Sequence, residues 1–162
     1  MVPLIIILVI AVVVLSQAIK IVPSDQIYIR TRLGQPLGPM APGLNFVAPF
    51  IDSIAARYQR TKTVNISGTF ASSDNDNVAV ELEARYSILD AAKTFQNIPD
   101  VDQAVRTLLE TVVRNEAARR KGDDFRFERQ SVEAEVMRAF NDAGAQFGVQ
   151  LTEVTSGSRT KF

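Results

Sequence analysis

The chain has 162 residues and contains no Cys, no His and no Trp. Zinc and haem sites built on Cys or His, disulfides, and Ser-His-Asp or Cys-His nucleophile pairs are thereby excluded. Its 18 basic and 18 acidic residues cancel, so no global field gathers nucleic acid, yet no charged side chain precedes Lys20.

Residues 1–15 read MVPLIIILVIAVVVL and are all apolar. The run is carried by Leu4, Ile5, Ile6, Ile7, Leu8, Val9, Ile10, Val12, Val13, Val14 and Leu15. With Val2 these residues contribute on the order of −4 to −7 kcal/mol of membrane-insertion free energy, which outweighs Ser16, Gln17 and an interfacial Lys20. A bilayer core needs about 20 helical residues, with a lower limit near 17. The pattern predicts a single-pass transmembrane anchor over residues 1–22, with Lys20 snorkelling at its end and Pro3 harmless in the first turn. A cleaved signal peptide is one alternative. Ser16-Gln17-Ala18 has a small-x-small form, but no basic residue precedes the run. A buried core element is another, although such elements rarely run this long without a polar position. Lys20, Arg30 and Arg32 follow the segment, so the positive-inside rule places the rest of the chain on the cytoplasmic side.

Residues 26–33 (QIYIRTRL) alternate as a half-buried strand with Ile27, Ile29, Thr31 and Leu33 on one face. Residues 34–43 hold three Pro and three Gly, which excludes helix or a central strand. Residues 44–47 suggest a short strand and residues 48–51 an apolar loop. Residues 53–66 are β-rich, and 67–76 reads as a polar loop. Residues 77–88 alternate without error: Val78, Val80, Leu82, Ala84, Tyr86 and Ile88 share one face. The period then changes. A short helix over 90–97 stops before Pro99. Asp100 caps a helix that runs to about residue 120 and breaks at Gly122, with Gln103 completing a capping-box-like pair. A further helix over about 126–147 buries Val132, Val136, Ala139, Phe140, Ala143 and Phe147, and Gly148 ends it. Residues 149–155 alternate as a final strand, and 156–162 read as a disordered tail. Strands, then helices, then one strand make an α+β domain with a mostly antiparallel sheet over residues 23–155.

The motifs IYIRTRLG (27–34) and PGLNFVAPFID (42–52) together resemble the SPFH superfamily, also called Band 7, which includes stomatins, prohibitins and flotillins. The matching features are the apolar start, the strand carrying Arg30 and ending at Gly34, the Pro42-Gly43-Leu44 turn, Pro49 and Asp52. NVAVELEARYSILDAAKTF (77–95) looks like the family's central strand and helix, and Arg114-Asn115 like its RN pair. AFNDAGAQFGVQLTEV (139–154) resembles the end of its second helix and the strand after it. The resemblance spans nearly the whole chain. It implies a non-enzymatic membrane scaffold that forms large homo- or hetero-oligomers of SPFH subunits and organises or regulates other membrane proteins, such as membrane proteases. Most members continue into a long coiled-coil helix. Residues 156–162 show no heptad pattern: either the coiled coil lies beyond residue 162, or this is a minimal member, for which lateral packing of the domain itself is the remaining route of assembly. The alternative is a membrane-tethered accessory domain that binds one partner without polymerising.

Three segments are candidate sites. Pro49, Phe50 and Ile51 form an interfacial loop expected to dip into the lipid headgroups; an ordinary core corner is the competing reading. Arg114, Arg119, Arg120, Asp123 and Asp124 are candidate subunit contacts, their mixed signs fitting salt bridges or a solvated face better than lipid or nucleic-acid binding. Asp74-Asn75-Asp76-Asn77 begins like a calcium loop, but Val78 and Ala79 occupy the next ligand and Gly positions, so it reads as a hairpin turn. The glycines match neither a P-loop nor a dinucleotide fingerprint. No catalytic residue, metal or cofactor is expected.

Overall fold

A computed structural model describes residues 2–157. Of the tail expected over 156–162, residues 158–162 lie outside those residues, as do the side chains of Leu4 and Arg126. The chain divides into two compact units, Met1–Arg60 and Thr61–Phe162. The fold is α+β, and every strand pair is antiparallel.

The first unit opens with α1 (Val2–Ala18), whose apolar side chains point in all directions and are mostly exposed. The helix is shorter than the anchor expected over 1–22. At Ala18 the backbone leaves the helix, because the Ala18 carbonyl accepts a bond from the Val47 N–H (2.7 Å). Residues Ile19–Val22 then form strand β1. At about 1.5 Å per residue the helix rises roughly 25 Å, against a hydrocarbon core of about 30 Å. No helix among the described residues is long and apolar enough to cross a membrane.

Four further strands complete this unit: β2 (Gln26–Arg32), β3 (Gln35–Pro39), β4 (Gly43–Phe46) and β5 (Asp52–Gln59). β1 pairs with β4 as a two-stranded ribbon, and β3-β2-β5 form a three-stranded sheet. The Pro- and Gly-rich stretch thus supplies β3 as an edge strand, where Pro36 and Pro39 are tolerated. A bulge between Arg30 and Thr31 takes up its irregular register. Leu33 does not continue the strand. Its φ of 50° places it in the β2–β3 turn, exposed, so it leaves the face it was expected to share with Ile29. Val22, Met40, Val47 and Tyr28 make a small core. The Arg57 guanidinium lies 5.1 Å over the Tyr28 ring of its cross-strand neighbour.

The second unit is a three-stranded sheet in the order β6 (Thr61–Ala71), β7 (Asn77–Ile88), β8 (Val149–Ser156), with helices packed on its apolar face. The alternation expected for 77–88 is β7 residue for residue: all six apolar positions are buried. β6 reaches five residues into the expected polar loop, because residues 67–71 pair with 77–81 in unbroken register. The hairpin turn is therefore only residues 72–76. Ser156 belongs to β8 and the Gly157 N–H bonds the Glu81 carbonyl (2.8 Å), so these two residues of the expected tail are ordered against the sheet.

Asp90 caps α2 (Ala91–Asn97) through the Ala92 and Lys93 N–H groups (both 3.1 Å). Ile98 is extended, as a residue before proline must be. Asp100 caps α3 (Val101–Arg119) through the Gln103 N–H (3.1 Å). Val105, Leu109, Val112 and Val113 of α3 are buried. The helix expected over 126–147 is interrupted. Glu128 leaves helical geometry (φ −99°, ψ 45°) and its N–H bonds the Asp124 carbonyl. This separates α4 (Gly122–Phe127) from α5 (Arg129–Gly144), so Gly122 begins a helix instead of only ending one. Val132, Val136 and Phe140 of α5 are buried, whereas Ala139, Ala143 and Phe147 are only half-buried. A 3-10 turn (Ala145–Phe147) follows and ends at Gly148 in the left-handed region, φ 75°.

Gly148 joins the elements at this end of the unit. Its carbonyl accepts bonds from the Leu89 and Asp90 N–H groups. A Cβ on it would stand 2.4 Å from the Asp90 carbonyl oxygen. Gly148→Ala therefore combines a disfavoured φ with a backbone clash and is expected to lower unfolding stability by more than about 1 kcal/mol. Urea unfolding of the two chains checks this; equal midpoints would contradict it.

Candidate membrane-facing site

The first unit concentrates apolar surface that nothing within it covers. Along the β1–β4 ribbon the register pairs Ile19 with Phe46 and Ile21 with Leu44. These four residues share one face, because side chains two apart on a strand point the same way. All four are exposed, Ile21 by 71% and Leu44 by 75%. On the opposite face Val22 packs into the small core, while Lys20 and Gly43 stay exposed and Asn45 is half-buried. The same unit exposes Leu33 and most of α1.

The loop between β4 and β5 adds the most exposed large hydrophobic among the described residues. Phe50 is 94% exposed and has φ 70°, a region a bulky side chain rarely occupies. The cause of this strained presentation is Asp52, whose side chain is 1% exposed. Its carboxylate accepts from Arg32 Nε (2.7 Å) and Nη2 (3.1 Å) in a forked pair, and from the Ala48 N–H (3.1 Å). The Ile51 and Asp52 N–H groups turn back onto the Ala48 carbonyl, and the Leu33 N–H bonds the Ile51 carbonyl (3.0 Å). The loop is thus tied at both ends while its tip points outward. Arg30 stands 3.9 Å from Asp52 and donates to the Phe46 carbonyl (3.3 Å), which links the clamp to the ribbon. The Arg32 hydrogen bond, aided by the Ala48 N–H and both arginine charges, holds the Asp52 carboxyl down to about 2.

Of the interfacial loop expected from sequence, Phe50 and Ile51 are exposed and Pro49 is half-buried. Sequence reading placed Ile19 and Ile21 in the anchor and did not join them with Leu44 and Phe46 in one face. The alternation of Ile19-Lys20-Ile21-Val22 carries their signal, but it runs on from the apolar helix and reads as part of it. The Arg32–Asp52 pair spans 20 residues and leaves no local signal.

The expected subunit contacts lie in the second unit. Arg114 and Arg119 are exposed at the end of α3, and Asp123 and Asp124 are exposed in the first turn of α4. Arg120 is occupied internally. It pairs with Glu128 (3.4 Å) and with the buried Glu116 (3.8 Å), and donates to the Ser131 hydroxyl (3.2 Å). Arg119 also reaches Glu116 (3.2 Å). The hairpin turn over 72–76 docks here: the Ser73 N–H bonds the Arg120 carbonyl, and the Gly122 N–H bonds Asp74 (3.2 Å). The Ser72 hydroxyl bonds the Asp74 carboxylate and, with the Gly122 N–H, holds it below its usual range.

The model of the SPFH domain / Band 7 family matches residues 20–157, and the chain belongs to that family. Relatives include an uncharacterised protein of Schizosaccharomyces pombe, 30% identical over 82% of this chain and 38% of its own length. Stomatin-like protein 1 of Mus musculus is 26% identical over 85% of this chain and 35% of its own length. A stomatin homolog of Pyrococcus horikoshii is 25% identical over 92% of this chain and 56% of its own length. The chain thus spans between about a third and three-fifths of these relatives. Proteins of this family generally oligomerise and associate with membranes.

The Asp52 clamp has a defined pH signature. Its carboxyl is depressed in the folded state, so its stabilising contribution is present above the ordinary value of 3.8 and is lost as the pH falls through about 2. Hydrogen exchange at the Ala48 amide, corrected for the intrinsic rate, should accelerate between about pH 4 and pH 2. Asp52→Asn should exchange fast throughout. Protection of Ala48 that stays constant across this range would show that the carboxylate does not hold the loop.

Proposed function

We propose that this chain is a membrane-anchored SPFH scaffold that self-associates and organises or regulates other membrane proteins, membrane proteases among them. The observation that carries the membrane part is the uncovered apolar surface of the first unit. α1 inserts into the bilayer, and Lys20 marks the start of the boundary. The bare ribbon face of Ile19, Ile21, Leu44 and Phe46 follows α1 directly in the chain. It extends the apolar length that the helix lacks and seats at the acyl–headgroup boundary, together with Phe50 and Ile51. The charges that follow α1 favour the cytoplasmic side for the rest of the chain. Assembly is supported by family membership and by the tether itself. Confinement to a surface raises effective concentration and lets weak contacts between copies form. Arg114 and Arg119 are surface groups for such contacts. The role is placement, with no catalytic chemistry.

Absence of Trp makes the seating measurable. Phe46→Trp and Phe50→Trp, each in phosphatidylcholine vesicles, should emit at blue-shifted wavelength. Lipids brominated near the headgroup end of the chains should quench them, and aqueous iodide should not. Strong iodide quenching with no effect of the brominated lipids would remove the ribbon and loop from the membrane.

A further inference from the structure

The sheet of the second unit has two edges, and they are treated differently. β8 is closed. Asn141 on α5 accepts from the Leu151 N–H (2.7 Å) and donates to the Leu151 carbonyl (3.4 Å), while Glu133 accepts from the Ser156 N–H (2.8 Å). A bulge opposite Arg85 and Tyr86 further breaks the line of this strand. Side chains and bulges of this kind are how edges are protected from pairing with other strands.

β6 has little of this protection. It runs eleven residues in unbroken register, without Pro and without a bulge. Its one charged residue, Lys62, turns to Asp102 (2.6 Å). Arg106 on α3 donates to the Asn65 carbonyl (3.1 Å), which shows that this carbonyl points away from β7. In an antiparallel strand the N–H and C=O of one residue share a side, and residues two apart repeat it. Ser67, Thr69 and Ala71 therefore present their backbone groups on the same outer edge. Among the described residues no side chain caps them. The free stretch ends at Ser73, whose N–H is taken by the Arg120 carbonyl.

We propose that this edge receives a second copy of this chain, with the two β6 strands antiparallel and Thr69 opposite Thr69. The proposal rests on the reading of the chain as self-associating and names the surface used. A second copy is favoured because β6 is the open edge of this sheet in every copy, so like edges meet and the contact is two-fold. The segment Ser67-Gly68-Thr69-Phe70-Ala71 is complementary to itself in this register. It carries no charge to repel its copy, and Thr opposite Thr is a favourable pair. Phe70 of one copy falls opposite Gly68 of the other. Within its own strand the Phe70 ring already lies over Gly68, so close that a Cβ there would stand 3.3 Å from the ring. Each copy thus offers a large and a small residue in the order its partner reverses.

The experiment uses the full chain in lipid vesicles, where the absence of Cys leaves an introduced thiol as the only one. Directly opposed hydrogen-bonded residues have Cα atoms about 5.5 Å apart, within the disulfide range of about 4.4–6.8 Å. Mild oxidation should convert Thr69→Cys to covalent dimer and leave Gln150→Cys, on the closed edge, single. Thr69→Pro removes only an outward N–H, so the ladder to β7 remains. It should weaken energy transfer between labelled copies at least tenfold. If Thr69→Cys stays single while the unmodified chain still associates, the edge assignment fails and self-association stands. If the unmodified chain is monomeric at all surface densities, both fail. Equal cross-linking of Gln150→Cys and Thr69→Cys would reflect collision and would also overturn the two-fold pairing.

Discussion

The first unit depends on one buried carboxylate. Asp52 must be charged to hold Arg32 in a forked pair and to accept from the Ala48 amide, and its side chain is almost wholly removed from solvent. A buried charge of this kind is tolerable only when its partners are all in place. That condition couples β2, the start of β5 and the loop between β4 and β5. The aspartate closes the loop, the arginines meet it from the neighbouring strand, and Arg30 passes the connection on to β4.

The closed loop pushes apolar side chains outward instead of inward. Phe50 sits at a positive φ that costs energy for a residue with its bulk. Such strain persists when the surroundings over-determine it, and here the ties at Ala48, Ile51 and Asp52 do so. The ribbon shows the same economy. Its inner side needs only Val22 to complete a core, and its outer side carries four large apolar residues that no element of the unit covers. Apolar surface on this scale beside an apolar helix has a straightforward solvent in lipid, and family membership points the same way.

The second unit solves the opposite problem. It buries one face of its sheet under α3 and α5 and leaves the other polar. Tyr86, at the centre of the buried face, would strand a hydroxyl there; it donates instead to Asp102 (2.5 Å), which Lys62 also holds. Burial and this charged neighbour push the Tyr86 hydroxyl well above its usual pKa, so it stays a donor throughout the ordinary pH range. The network joins β6, β7 and α3 through side chains from each.

Local patterns carried much of this. The strict alternation of residues 77–88 determined β7 and its buried face. Asp90 and Asp100 signalled helix starts, and Gly148 signalled a chain reversal that only a residue without Cβ can make. The lack of charge before Lys20 determined an apolar N-terminus. Other features depended on partners far along the chain. Apart from Lys20, Ile19 to Val22 read as a continuation of the apolar helix, and only pairing with residues 43–46 makes them a strand. Residues 67–71 look like loop because Ser67, Gly68 and Thr69 break the apolar alternation, and only β7 holds them extended. The backbone break at Glu128 has no proline or glycine to announce it. The clamp at Asp52 and the unequal closure of the two sheet edges are likewise tertiary facts, since each is made by side chains that the sequence keeps apart. By itself the sequence determined the family, the apolar N-terminus and the alternating core. The tertiary structure decided which apolar residues stay outside, because exposure is settled by what packs against a surface and not by the residues that compose it.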